Sequence, residues 1–155
     1  MIRYFLGAYG VVYNFAESFV DNVVFDKVKP VPGSILYTDL AFGYMEHSGV
    51  YIGQNQIVHL NSAGKVEIVS PDEFLGHTAI SIYVSSKGTD SVGNDNVAKK
   101  ANYMVGASRD YNFLMDNCHQ FSAGCMNGNF NNSSNFLWML KDEAKKYLGS
   151  DNWRV

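Results

Sequence analysis

Three side chains of this sequence, His47, His59 and Cys118, are of the types that together perform nucleophilic catalysis. A cysteine thiol is a weak nucleophile until it loses its proton, and a neighbouring imidazole or the positive end of a helix lowers its pKa. We expect Cys118 to attack an acyl group and His47 to act as its general base. His59 would hold the His47 ring in the useful tautomer.

The segment around Cys118 favours this role. Its pattern predicts a helix that begins at Asn117 and runs to about Met126. Asp116 or Asn117 would cap that helix, which would leave Cys118 in the first turn among backbone N–H groups that lack intrahelical partners. Those N–H groups could hold the oxyanion that forms on an attacked carbonyl.

The two histidines fall on the two strands of one predicted hairpin. His47–Gly53 and Gln56–Leu60 read as strands, with the turn at Gln54-Asn55. With a two-residue loop and a regular register, His47 and His59 would point to opposite faces of the hairpin. A bulge or a three-residue loop would put both rings on one face as near-diagonal neighbours, and a relay between the rings requires this arrangement.

The same residue types also occur in other roles. A cysteine in an apolar helix is commonly a small core residue. Two histidines on adjacent strands could bind zinc if His77, His119 or acidic side chains completed the ligand set. The ligand spacing typical of zinc sites is missing from the sequence, so we expect no metal and no cofactor.

The composition predicts one globular domain spanning residues 1–155. Apolar residues make up 46% and charged residues 17% of the chain, which excludes a disordered composition. The net charge is −3 and the Lys and Arg residues do not cluster, so we expect no nucleic-acid partner. Cys118 and Cys125 would lie about 10 Å apart on one helix, too far for a disulfide, which favours a reducing, cytoplasmic compartment.

The N-terminal region predicts an amphipathic helix over residues 4–23, with its apolar side chains at helical spacing. The opposite face carries acids rather than Lys or Arg, which favours packing on the core over binding to a membrane surface. The sequence lacks a run of 18 apolar residues. We therefore expect a soluble protein with at most peripheral membrane contact.

The remaining elements predict an α+β fold, an antiparallel sheet packed against helices, with a core at about 32–128 and a C-terminal helix at 134–148. Ser70-Pro71-Asp72-Glu73 has the pattern of a capping box that opens a short helix. The expected strands are 35–37, 47–53, 56–60, 65–69 and 78–84, a polar loop covers 85–96, and a further helix covers 97–105.

Two sequence motifs, a histidine box followed by an Asn-Cys box, resemble those of the lecithin:retinol acyltransferase-like family. The matching segments are Pro32-Gly33-Ser34-Ile35-Leu36, His47-Ser48-Gly49-Val50-Tyr51-Ile52-Gly53, Val58-His59-Leu60, Tyr111-Asn112-Phe113-Leu114 and Asn117-Cys118-His119-Gln120-Phe121. The resemblance covers about Pro32 to Gly128. The chain departs from the family pattern at Ser34, Ser48 and His119-Gln120, where the family usually has Asp, an aromatic residue and Glu-His.

That resemblance implies a circularly permuted papain-like fold of the NlpC/P60 kind. It also implies Cys118 as nucleophile, His47 as general base and His59 as the third polar member. Family members mostly take an acyl chain from a phospholipid and pass it through a thioester to water, an amine or an alcohol. An acyl lipid is therefore the expected substrate, in a reaction of the phospholipase A1/A2 or acyltransferase type.

Three other functions stay open at this point. The same thiol site could act on peptide or cell-wall amides, as a peptidase or amidase. The chain could also be a binding module that kept the fold and lost turnover, or a zinc-binding protein. A distance within about 4 Å between the Cys118 sulfur and a His47 ring nitrogen would favour an enzyme.

Overall fold

A computed structural model describes residues 28–40, 46–76, 79–109 and 114–155 of the chain. These residues form an antiparallel sheet packed against helices, which confirms the expected α+β class. The predicted helix 4–23 lies outside the described residues. The described strands are β1 Ile35–Leu40, β2 His47–Gly53, β3 Gln56–Leu60, β4 Val66–Val69, β5 Ala79–Lys87, β6 Asp90–Ser91 and β7 Asn152–Arg154. The described helices are α1 Pro71–Leu75, α2 Asp95–Tyr103, α3 Leu114–Asn127 and α4 Leu137–Leu148.

The sheet follows the order β4-β3-β2-β1-β5-β6, and β7 also pairs with β5. Consecutive strands β1 to β4 pair as neighbours, and β5 returns to pair with β1. This order places β2 and β3 inside the sheet, where the two histidines of the hairpin are held by strands on both sides.

The two faces of the sheet carry different layers. Alternate side chains of β1 to β4 pack on α2, α3 and α4 in the larger core cluster, which includes Ile35, Val50, Val58, Phe121 and Leu140. The side chains between them face the other way and pack with α1 in a smaller cluster, which includes Leu36, Tyr51, Ile57, Phe74 and Ile82. Side-chain alternation along a strand therefore decides which layer each site residue can reach.

Local sequence signals determine where several helices and strands begin or end. The predicted capping box is confirmed, because the Ser70 hydroxyl accepts from the Glu73 N–H and the Glu73 carboxylate accepts from the Ser70 N–H. Gly149 ends α4 in the left-handed conformation that glycine adopts at little cost. At the hairpin turn, Gln54 and Asn55 both have positive φ angles, as in the two-residue turns that join twisted strands.

The predicted loop 85–96 was wrong in part. Ser85 and Ser86 continue β5, and β6 folds back on it to form a second hairpin. The Ser85 hydroxyl accepts from the Ile35 N–H and donates to the Val92 carbonyl, so polar side chains here bond to the backbone inside the sheet. Strand β7 was not predicted, since its three residues pair with β5 across a long stretch of chain.

Over the part of the chain that the structure describes, no helix is long and apolar enough to cross a bilayer.

Candidate active site

A register shift in the hairpin brings the two predicted histidines together. Val50 pairs with Val58 and Tyr51 with Ile57, but Gly53 pairs with Gln56, so the register changes between Tyr51 and Gly53. This irregularity is the bulge that the relay required, and it confirms that alternative. The His47 Nε2 and His59 Nδ1 atoms lie 2.5 Å apart on one face of the sheet.

Glu67 continues this contact on the neighbouring strand. It is the direct partner of His59 in the β3–β4 ladder, and its Oε2 lies 2.9 Å from the His59 Nε2. The His59 ring is nearly buried, whereas the Glu67 side chain is 44% exposed. Glu67 was not predicted as a site residue, although pairing the two predicted strands 56–60 and 65–69 would have pointed to it.

Phe74 of α1 covers both imidazoles. The Phe74 ring centroid lies 5.2 Å from that of His47 and 5.9 Å from that of His59. The capping box at Ser70 orients this short helix, so that a local helix signal positions the apolar cover of the histidine pair. Gly49 on β2 leaves room for the Phe74 ring, because a Cβ there would lie 3.0 Å from Phe74 Cε1.

Replacing Gly49 with Ala should therefore destabilise the sheet below Phe74. The new methyl group would lie 2.9 Å from Ile57 Cγ2 and 2.9 Å from the Val58 carbonyl oxygen. Because backbone cannot yield as a flexible side chain does, we expect the free energy of unfolding to fall by about 1–3 kcal/mol in urea titrations. An unchanged free energy would show that the hairpin accommodates the methyl group and that Gly49 is not needed for packing.

Cys118 lies deeper in the helix than its sequence predicted. Helix α3 begins at Leu114 rather than at Asn117, so Cys118 is in the second turn. An N–H at that position bonds to the carbonyl four residues earlier, and the orphan N–H groups belong to the preceding turn. The expectation that Cys118 N–H is available for an oxyanion is therefore wrong, and the helix dipole acts weakly on the sulfur, since its effect falls off after the first turn.

The Cys118 sulfur packs against the start of β2. It is fully buried, and it lies 4.0 Å from the carbonyl oxygen of Glu46, the residue before His47. The backbone N–H and hydroxyl of Ser48, the residue after His47, also act on the sulfur and favour its thiolate. The structure therefore places Cys118 against the backbone on both sides of His47.

A buried polar cluster fixes this packing. The Ser48 hydroxyl lies 3.2 Å from the Cys118 carbonyl, 2.8 Å from His119 Nδ1 and 3.0 Å from the Ser122 hydroxyl. A hydroxyl has one proton and two acceptor positions, so it donates to the carbonyl and accepts from His119 Nδ1–H and from Ser122. Ser48 and His119 both depart from the family pattern, and the structure shows that these two departures contact each other.

His119 is a second residue whose place beside the thiol was not predicted. The sequence indicated only a metal-ligand role for it, but its Nδ1 lies 3.8 Å from the Cys118 sulfur and the ring is buried. Its Nε2 has no hydrogen-bond partner within the described ranges. The same ranges contain no group of three or more His, Cys, Asp and Glu side chains that could hold a metal ion.

Burial keeps the resting site uncharged. It raises the pKa of the Cys118 thiol to about 11, although N–H groups and the Ser48 hydroxyl pull the pKa in the other direction. Burial, followed by the charges of His59 and His119, lowers the pKa of His47 to about 3. Burial also lowers the pKa of His119 to about 4. At neutral pH the site therefore holds a thiol and neutral imidazoles rather than a thiolate–imidazolium pair.

The three predicted site residues thus lie around the start of the β2 strand, and only the two histidines are shown in contact with each other. His47 and His59 are in direct contact, and the Cys118 sulfur lies beside the backbone that carries His47. Ser48 faces α3 while His47 faces Phe74, so the thiol and the paired rings approach the start of β2 from different faces of the sheet. Proton transfer between Cys118 and His47 stays a prediction.

Neither a search of protein-family models nor a search of curated protein sequences found a match to the chain.

Proposed function

We propose that this chain is a thiol-dependent acyltransferase or hydrolase that acts on acyl lipids through a Cys118 thioester. The observation that carries the proposal is the contact between His47 and His59 at 2.5 Å, with the Cys118 sulfur against the backbone on both sides of His47. A nucleophile, a base and a group that orients the base are the parts that covalent acyl transfer needs.

The proposed fold is the circularly permuted papain-like fold of the lecithin:retinol acyltransferase-like family. Two features support it. The cysteine lies on a helix that packs on an antiparallel sheet, and the imidazoles lie on adjacent strands of that sheet. Both histidine strands precede the cysteine helix in the chain, as the order of the two family boxes requires.

The proposed reaction begins with transfer of the thiol proton to His47 as the Cys118 sulfur attacks the ester carbonyl. The tetrahedral intermediate collapses when its carbon–oxygen bond to the glycerol breaks, and His47 returns the proton to that oxygen. Water or another acceptor then attacks the thioester, loses its proton to His47, and releases the sulfur, which regains the proton. Attack and proton transfer are concerted in this scheme, because burial disfavours a separate thiolate.

An apolar substrate suits this environment. The sulfur is fully buried and the histidine pair is covered by Phe74, so a substrate carbonyl that reaches the site leaves water behind. An acyl chain tolerates that transfer well, since burying its methylene groups is favourable by about 0.8 kcal/mol each. A peptide would have to desolvate its amide groups, which costs free energy unless each group finds a hydrogen-bond partner.

The experiment that tests this function is the capture of the acyl-enzyme. The protein is incubated with phosphatidylcholine that carries one isotope-labelled acyl chain, quenched in acid and analysed by intact mass. We expect an adduct with the mass of the acyl group, removed by hydroxylamine as a thioester is, and mapped to the peptide that contains Cys118.

Parallel incubations separate the competing functions. An adduct formed from an activated peptide ester or a cell-wall peptide, but not from the lipid, would replace the lipid proposal with a peptidase or amidase. The absence of any adduct and any turnover with both substrates would contradict an enzyme and leave a binding module.

A further inference from the structure

The hydrogen bonds of the two imidazoles, which meet edge to face, can be assigned from the Glu67 end of the series. Glu67 Oε2 lies 2.9 Å from His59 Nε2, and burial of His59 together with this bond holds the ring against the carboxylate. An ionised carboxylate only accepts hydrogen bonds, so His59 Nε2 must carry a proton. The pKa of Glu67 lies below its ordinary value, chiefly because His59 donates to it, which keeps the carboxylate ionised at neutral pH.

The tautomer of His59 determines which ring donates in the hydrogen bond between His59 and His47. A neutral imidazole carries one proton, so His59 with a proton on Nε2 presents an unprotonated Nδ1. His47 Nε2 lies 2.5 Å from that Nδ1 and must supply the proton of the hydrogen bond between them. A neutral His47 with its proton on Nε2 has its lone pair on Nδ1, which is the atom left to accept a proton.

We propose that Glu67 sets the tautomers of His59 and His47 in turn, so that the basic nitrogen of the site is His47 Nδ1. This rests on the proposed function for its chemical use, but the tautomer assignment itself concerns only hydrogen bonds of the resting protein. Glu67 is a positioning residue, because it touches His59 and reaches His47 only through that ring. The hydrogen-bonded series His47–His59–Glu67 therefore extends the predicted histidine pair by one carboxylate.

Glu67 also stabilises the positive charge that the proposed reaction creates on His47. When His47 Nδ1 accepts the thiol proton, His47 becomes an imidazolium that still donates from Nε2 to His59. The His59 ring keeps donating from Nε2 to Glu67, so each proton stays on its own nitrogen and the positive charge faces a carboxylate one ring away. A negative group at that distance stabilises the charged form of the base without entering the reaction.

Glu73 offers a matched control for the charge of Glu67. Its carboxylate also acts on His59 by charge, but its hydrogen bond goes to the Ser70 backbone N–H in the capping box. Glu73→Gln removes that charge and keeps an acceptor for the cap. Glu67→Gln likewise removes a charge but keeps an acceptor for His59, whereas Glu67→Leu removes both the charge and the acceptor.

The test measures the tautomers directly. Protein labelled with ¹⁵N in its histidine side chains is studied by long-range ¹H–¹⁵N correlation, in which protonated and unprotonated ring nitrogens differ widely in shift. We expect Nε2-protonated rings at both His47 and His59 in the unmodified protein, in Glu67→Gln and in Glu73→Gln. Glu67→Leu should convert a large part of the His59 population to the Nδ1-protonated form, and the His47 ring should follow.

Turnover is measured alongside on the same proteins. We expect Glu67→Leu to lower kcat by about 10- to 100-fold with little change in KM, Glu67→Gln to recover most of that loss, and Glu73→Gln to stay near the unmodified value. Urea unfolding at neutral pH establishes that each variant is folded.

Two outcomes would overturn the inference. One is an unmodified protein in which His47 carries its proton on Nδ1, and the other is a Glu67→Leu variant with unchanged tautomers at both rings. A protein without turnover that still shows the expected tautomer change would refute the proposed function and leave the role of Glu67 intact. Turnover by a protein whose tautomers differ from the expected ones would support the proposed function and refute the role of Glu67.

Discussion

Replacing Cys118 with Ala should abolish the acyl adduct and lower turnover by at least about 10³-fold, since no other group of the site can form the thioester. Cys118→Ser should have almost the same effect. A hydroxyl has a far higher pKa than a thiol, and burial at this position raises the thiol pKa already to about 11. Intact mass and hydrolysis of labelled phosphatidylcholine measure both variants.

Cys125 offers the matched control. It is a buried thiol on the same helix α3, and it packs in the larger core cluster away from the histidine pair. Cys125→Ala should lower the free energy of unfolding by about 1 kcal/mol through lost packing, while adduct formation and turnover stay within about twofold of the unmodified protein.

The opposite pattern would overturn the scheme. Normal turnover by Cys118→Ala would exclude a covalent role for this thiol, whatever the effect of Cys125→Ala. An adduct that maps to Cys125 would place the nucleophile two turns further along the helix and separate the chemistry from His47 and His59.

Mild acid should destabilise the protein through its buried histidines. His119 is 1% exposed, and burial lowers its pKa to about 4, whereas a histidine in the unfolded chain titrates near 6.5. Between these values the unfolded chain binds the proton and the folded one does not. The free energy of unfolding therefore falls as the pH decreases from about 6.5 towards 4, by up to about 1.4 kcal/mol per pH unit for each such group.

From pH 7 to pH 5 this amounts to about 2 kcal/mol for His119, and His47, whose pKa is lowered to about 3, adds a similar loss. Carboxylates with lowered pKa values, such as Glu67, lose their contribution only at lower pH. Urea unfolding at pH 7, 6 and 5 measures the decrease.

His119→Gln isolates the contribution of one ring. Glutamine can still donate to the Ser48 hydroxyl but does not titrate, so the loss of stability between pH 7 and pH 5 should shrink by about 2 kcal/mol. The comparison uses the change with pH within each protein, so a lower stability of the variant at pH 7 does not affect it. Equal pH dependence in the two proteins would show that His119 titrates normally in the folded state.

The neutral resting forms of Cys118 and His47 affect the reactivity of the thiol. Thiol enzymes often hold a thiolate, stabilised by a helix N-terminus or an adjacent imidazolium. Here the sulfur lies one turn inside α3, and desolvation outweighs the N–H groups of Ser48 and His119. A buried, protonated thiol reacts slowly with oxidants and alkylating agents. In the proposed reaction, His47 would receive the thiol proton during the attack on the substrate.

Much of the local structure could be read from short stretches of sequence. The bounds of β2 and β3, the capping box at Ser70 and the end of α4 at Gly149 agree with the sequence-based expectations. Each depends on contacts within a few residues, namely side-chain alternation, a hydroxyl at a helix start, or a glycine in the left-handed region. The choice of His47, His59 and Cys118 also came from residue type and order.

The arrangement of the site depended on contacts that are distant in sequence. A bulge near the hairpin turn put His47 and His59 on one face, pairing of β3 with β4 supplied Glu67, and packing of α3 on β2 brought Ser48 against His119. Helix α3 began a turn earlier than its capping residues indicated. Short-range patterns set backbone preferences, but a one-residue change of register or helix start moves a side chain to another face, and packing energies summed over the whole sheet select between such alternatives.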